Sequence, residues 1–101
     1  MVINWTNPAI IDLKEFKKIT QKNNANEYII NLVNATNMLI ENPRSGKIYT
    51  YINKIIIRQL IYKEHRIFYY LDNDTINIIS VNKLPRRKQR GILVYVLLKN
   101  N

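Results

Sequence analysis

Contact with nucleic acid calls for cations that can fork around phosphate oxygens and flat rings that can lie on bases, and this chain carries both on one short stretch. The stretch is Lys63-Glu64-His65-Arg66-Ile67-Phe68-Tyr69-Tyr70-Leu71. Side chains alternate across a strand, so Arg66, Phe68 and Tyr70 share one face while Ile67, Tyr69 and Leu71 share the other. A guanidinium beside two rings suits single-stranded nucleic acid, where bases stack and phosphates are neutralised. Arg58 and the run Lys83, Arg86, Arg87, Lys88 and Arg90 extend the basic character. Candidate nucleic-acid contacts are therefore Arg58, Phe68, Tyr70, Lys83, Lys88 and Arg90. The ordinary alternatives are a surface ion pair of Arg66 with Glu64 or Asp74, and plain cross-strand packing for the two rings.

The formal net charge is +9, and it is uneven, because the six cations from Lys83 onward face no acid at all. A field of that sign attracts polyanions, nucleic acid first, then an anionic membrane or an acidic protein. As a solvated surface it also aids solubility. The absence of cysteine and the single histidine, His65, leave no disulfide frame and no structural zinc. The sequence has no glycine-rich phosphate loop, serine elbow or paired carboxylates on one element, so neither a metal nor a cofactor is expected. No apolar run approaches the roughly 20 residues that span a bilayer, and no charged-then-apolar leader is visible. The expectation is a cytoplasmic protein without membrane contact.

These residues need a scaffold, and 101 residues suggest one domain over 1–101. Residues 1–5 read as a short strand. Thr6-Asn7-Pro8 then offers N-cap candidates and a proline near the first helical position, where its missing N–H costs nothing. Ala9, Leu13 and Phe16 recur at helical spacing, with Asp12 and Glu15 early and Lys14, Lys17 and Lys18 later, as the macrodipole favours. After a polar break at 21–24, Ile29, Leu32 or Val33, Thr36, and Leu39 or Ile40 repeat the pattern up to Asn42-Pro43, and Ser45-Gly46 turns the chain. A DNA-reading helix-turn-helix fits less well than an antiparallel hairpin, because the basic residues lie on the first helix. Residues 47–54 read as a connector and 55–62 as a central strand, apolar on both faces. Two runs rich in Ile, Val, Tyr and Phe flank Asp72-Asn73-Asp74, the signature of a β-hairpin. The expected fold is α+β, β-α-α-β-β-β, an N-terminal strand and a helical hairpin packed on a mostly antiparallel sheet. The apolar run at 92–98 is a last strand or short helix closing the core.

Taken together, the strand ending in Trp5, the helix at Pro8 with Leu13, the Leu39-Ile40-Glu41-Asn42-Pro43 end with Gly46, Ile57-Arg58, His65-Arg66-Ile67-Phe68-Tyr69 and the strand at 76–81 resemble the RelE/ParE superfamily of type II toxin-antitoxin toxins. The resemblance implies a toxin held inert by a cognate antitoxin in a hetero-oligomer. RelE-like members enter the ribosome and cut mRNA, whereas ParE-like members poison DNA gyrase and cut nothing. Glu64-His65-Arg66 looks like the corresponding stretch of the YoeB-type nucleases, which would put Arg66 at the scissile phosphate, with Arg86 and Arg87 as further charge stabilisers. Where such nucleases carry a basic or acid-base residue at the end of the last core strand, this sequence has Leu84. The helical hairpin and the Asn42-Pro43 to Gly46 turn look equally like ParE members. RNA cleavage would also need a base. His65 alternates away from Arg66, and Tyr70 or Glu64 would need a shifted pKa. The resulting expectation places ribosome-dependent mRNA cleavage and translation inhibition slightly ahead of gyrase inhibition, with a catalytically silent nucleic-acid-binding relative as a third reading.

Overall fold

The computed structural model describes residues 1–20 and 24–84. Its elements run β1 (Val2–Trp5), α1 (Asn7–Thr20), α2 (Ala25–Ala35), α3 (Met38–Glu41), β2 (Lys47–Ile52), β3 (Ile55–Tyr62), β4 (His65–Asp72) and β5 (Thr75–Lys83). The strands form one sheet in the order β1-β5-β4-β3-β2. Among the described residues only β1 lies parallel to its neighbour, β5, and the other pairings are antiparallel. The α+β architecture matches the sequence reading, with two differences. Residues 47–52 form an edge strand rather than a connector, and the second helix breaks at Thr36-Asn37 into α2 and the one-turn α3. The 92–98 run and the cluster 86–90 lie outside the described residues.

The three hairpins follow from residues that tolerate a left-handed backbone. Asn53 and Lys54 between β2 and β3, Lys63 between β3 and β4, and Asn73 between β4 and β5 all have positive φ, which two-residue hairpin turns require to match the strand twist. At the other end, Thr6 does not cap α1 through its hydroxyl. Its N–H and hydroxyl both donate to the Ile78 carbonyl, so the start of α1 is tied to β5. Strand β1 ends opposite Ile78, and beyond it β5 has no strand neighbour on that side among the described residues. Asp12, one turn into α1, fills the gap. Its carboxylate accepts from the Val81 N–H at 2.8 Å and the Ser80 hydroxyl at 3.2 Å. Burial nevertheless pushes the Asp12 carboxyl above its usual range, since desolvation outweighs the two bonds.

The sheet has a buried layer on each face. On the helical side Ala9, Leu32 and Leu39 pack against Ile67, Tyr69, Ile76, Ile78 and Val81, each large aliphatic burial stabilising by about 1.5–3 kcal/mol. The opposite face carries no helix among the described residues, yet Phe68 there is fully buried and Ile57 nearly so. Two register shifts explain this. Between Ile48 and Thr50 the pairing with β3 skips Tyr49, and between Ser80 and Ile78 the pairing with β4 skips Ile79. A bulge re-aims the extra residue, and both Tyr49 and Ile79 pack on the Phe68 cluster. The Tyr49 ring meets Phe68 edge-on at 5.0 Å, a favoured aromatic geometry. Bulge side chains and Tyr70 thus do for this face what helices do for the other.

The loop leading into β2 is pinned from β4. The buried Tyr69 hydroxyl donates to the Pro43 carbonyl and accepts from the Gly46 N–H, at 2.8 and 2.9 Å. Burial raises the phenol's pKa, keeping its proton in place. Gly46 is needed because a Cβ would stand 2.5 Å from the Tyr69 oxygen and 2.8 Å from the Gln59 carbonyl. Tyr69→Phe is expected to cost about 1–3 kcal/mol by leaving the buried Gly46 N–H unmet, and Gly46→Ala about 1–3 kcal/mol by overpacking. In urea titrations the double variant should lose less than the sum, because removing the hydroxyl removes one of the clashes. Strict additivity would show that the two residues do not act through this contact.

Candidate functional site

The cross-strand register decides which candidate residues can work together. Arg66 sits opposite Ile61 on one side and Asn82 on the other, and Phe68 is opposite Gln59 and Ser80. Arg66, Phe68 and Tyr70 therefore lie on the face without helices, as alternation implied. Arg58 does not join them. It is in register with Tyr69 and points to the helical side, where its guanidinium donates to the carbonyls of Gly46 and Arg44 at 2.9 and 3.2 Å. That side chain holds the Pro43–Gly46 loop instead of presenting a charge. Lys83 is also separated from Arg66, for it pairs with His65 at the far end of the helical face. Arg86, Arg87, Lys88 and Arg90 lie outside the described residues.

Within the open face the rings differ in availability. Phe68 has no exposed surface, so in this conformation it supports the face and offers no plane to a base. Tyr70 is half-buried at the edge of the same cluster. Arg66 is partly exposed, but its Nε is buried without a hydrogen-bond partner, as is the Gln59 Oε1 on the neighbouring strand. A buried donor left unpaired costs about 1–3 kcal/mol, so a ligand or partner that brings an acceptor to Arg66 would gain from satisfying it. The groups in register with the guanidinium, Ile61 and Asn82, cannot take a proton at neutral pH.

Sequence reasoning did not single out the pair His65 and Tyr28 on the helical side. The Tyr28 hydroxyl lies 2.8 Å from His65 Nδ1, and Phe16 meets the imidazole edge-on at 4.9 Å. The strand pattern had placed His65 away from Arg66, but its partner on α2 is visible only once the helices are packed. Burial pushes the imidazole's pKa down; Glu64 opposes the shift and Lys83 reinforces it. Nδ1 of the ring and the Tyr28 hydroxyl share one hydrogen bond whose donor is set by the imidazole tautomer, and the phenol's own pKa is raised, mainly by burial. Beside this pair a groove of about 350 Å³ opens between α1, α2 and the end of β5. No group of three His, Asp or Glu side chains placed to hold a metal occurs among the described residues, and no described helix is long and apolar enough to cross a membrane.

A sheet of this order, with its described helices on one face, defines a small α+β domain. Residues 3–87 match the model of the ParE toxin of the type II toxin-antitoxin system parDE, and the chain belongs to that family. A solved structure described as the chromosomal ParDE TA system from P. aeruginosa superposes with a TM-score of 0.68 at 16% identity, over 84% of this chain and 97% of that one. At that identity it bears on the fold alone. No curated protein sequence matches the chain.

The buried histidine makes stability depend on pH in a definite direction. In the unfolded chain its pKa is about 6.5, and in the folded chain it is lower. The unfolded state therefore binds the proton first, and stability present above about pH 6.5 is lost as the pH falls towards the folded value. Asp12 acts oppositely and at lower pH, because its raised carboxyl is protonated first in the native state. Urea midpoints measured at about pH 7.5 and about pH 5.5 should show a decline for the wild type and a flatter profile for His65→Phe, which keeps an aromatic ring but cannot titrate. Equal slopes would place the pH response elsewhere.

Proposed function

We propose that this type II toxin acts as ParE-like members do, by binding and arresting DNA gyrase, and that a cognate antitoxin holds it inert. The observation that carries this reading is the setting of Arg66. The guanidinium lies on the sheet face that carries no described helix, in register with Ile61 and Asn82, while the histidine is committed to the other side of the sheet. Cleaving RNA at a 2′-oxygen needs a base and a proton for the leaving group as well as a stabilised phosphorane. Arg66 supplies charge stabilisation alone. A surface that sets one arginine near a half-buried tyrosine over a buried aromatic cluster is instead the composition of a protein–protein contact, where Arg and Tyr are enriched.

A second reading, ribosome-dependent mRNA cleavage, draws support from the unpartnered Arg66 Nε and the net charge of +9. In that case Arg66 would grip a phosphate, and Arg86 and Arg87 would have to complete the site. The two readings part in a direct experiment. Induced alone, the toxin should arrest growth, with relief by the antitoxin encoded beside it. Purified protein should stall gyrase supercoiling while leaving message on programmed ribosomes whole, and Arg66→Ala should weaken the arrest at unchanged fold, since truncating a partly exposed strand residue shifts stability by under about 1 kcal/mol. Cut mRNA with normal supercoiling would replace the gyrase reading with the nuclease one.

A further inference from the structure

Among the described residues, the Arg66 Nε and the Gln59 Oε1 are the buried side-chain atoms that lack a hydrogen-bond partner. They belong together. Gln59 is in register with Phe68 and Arg66 with Ile61, so the two residues stand one diagonal step apart on adjacent strands, within reach of long side chains. Residues facing each other in a ladder point to the same side of the sheet, which puts Gln59 with Phe68 and Arg66 on the open face. Their chemistry is opposite, since a guanidinium nitrogen only donates and an amide oxygen only accepts. Neighbouring polar groups are already engaged. Asn82, in register with Arg66, donates from Nδ2 to the Ser80 Oγ at 2.5 Å, and the Ser80 hydroxyl donates to Asp12. Gln59 and Arg66 are both partly exposed, so a turn of either long side chain brings its unmet atom to the surface.

We propose that Gln59 and Arg66 form one binding site for an amide edge, a donor and an acceptor side by side, as one residue of an extended polypeptide presents them. In an antiparallel ladder the N–H and C=O of such a residue point the same way and exchange both bonds with a single partner. Here the C=O accepts from the Arg66 Nε and the N–H donates to the Gln59 Oε1. The carboxamide of a partner's Asn or Gln offers the same edge. Carboxylates and phosphates do not, because they bring acceptors only and would set an oxygen against the Gln59 oxygen. That separates this site from the ion pair or phosphate grip that an arginine by itself suggests. Nucleobases carry mixed edges too, but proteins hold them by stacking as well, and Phe68 on this face has no exposed surface. The inference rests on the reading of the open face as a protein contact and adds what the partner must bring to it. Unmet buried atoms burden the free chain, a cost that functional sites carry and that binding relieves.

Two changes at Gln59 test the site in the full chain. Gln59→Met keeps the length and removes the acceptor, and Gln59→Lys puts a donor in its place. Because the oxygen is unmet in the free chain, Gln59→Met should leave the urea midpoint unchanged or raise it. Growth arrest on graded induction should nevertheless need at least about tenfold more of either variant than of the wild type, and stalling of gyrase supercoiling by the purified proteins should follow the same order. Arrest in cells that depends on Gln59 in this way, with supercoiling untouched even by the wild type, would remove the gyrase reading and leave the amide site standing on another protein target. Gln59→Met as toxic as the wild type would overturn the site. Stronger arrest by Gln59→Lys would overturn it as well and assign the face to an anion, with cut mRNA identifying RNA as the source. A urea midpoint lowered by Gln59→Met would show the oxygen already bonded within the fold, and the site would fall on that result too.

Discussion

The period-two alternation of β4 is the constraint on which everything else rests. His65, Ile67 and Tyr69 must face one way and Arg66, Phe68 and Tyr70 the other, and since β4 lies in the middle of the sheet, both sets need cover. The helices cover the first set. The second is covered by the sheet's own irregularities, Tyr49 and Ile79 at the two bulges. Ile57, Ile52 and Tyr70 complete that cover. The bulges are thus packing devices as well as departures from the ladder.

This division separates structural from presented charge. Two arginines of the same type, eight residues apart on adjacent strands, do different work because their registers differ. Arg58, in line with Tyr69, spends its guanidinium on backbone carbonyls of the loop that Tyr69 also holds. Arg66, in line with Ile61 and Asn82, keeps an unpaired Nε. Counting cations on strands could not have distinguished them. Burial sharpens the contrast, since a donor held away from water gains more from a new acceptor than one already hydrated.

How much was legible in the residues follows the same lines. The β4–β5 hairpin could be read because alternation and the Asp72-Asn73-Asp74 turn agree, and α1 because its apolar residues keep strict helical spacing. Strand β2 was missed although Ile48-Tyr49-Thr50-Tyr51-Ile52 is rich in strand formers and Asn53-Lys54 supplies the turn. The bulge at Tyr49 breaks the alternation that would have announced it, and the edge position leaves much of the strand exposed. The break between α2 and α3 was hidden for a different reason. Leu32, Thr36 and Leu39 stay buried in helical sequence across it, so the apolar periodicity continues where the backbone tightens to three-residue hydrogen bonds such as Asn37 N–H to the Asn34 carbonyl and Leu39 N–H to the Thr36 carbonyl. Alternation within each strand could place Arg66 and Phe68 together, but the assignment of Arg58 required the register between strands, which depends on turn length and bulges far from the residue itself.

The two faces also differ in what they can offer a partner. On the open face the aromatic layer is closed, with Phe68 sealed, so recognition there must be by a surface laid over Arg66 and Tyr70 rather than by insertion between rings. On the helical side a groove remains among the described residues, and the touching rings of Phe16, Tyr28 and His65 line it. Rings in that group contribute edge-to-face contacts whether or not the groove is filled, which lets the wall hold its shape while awaiting apolar side chains. A preformed wall lowers the ordering cost of whatever enters. Affinity for the groove is therefore set mainly by the apolar area an entering partner can bury, while affinity for the open face turns on whether the incoming surface brings an acceptor to the Arg66 Nε.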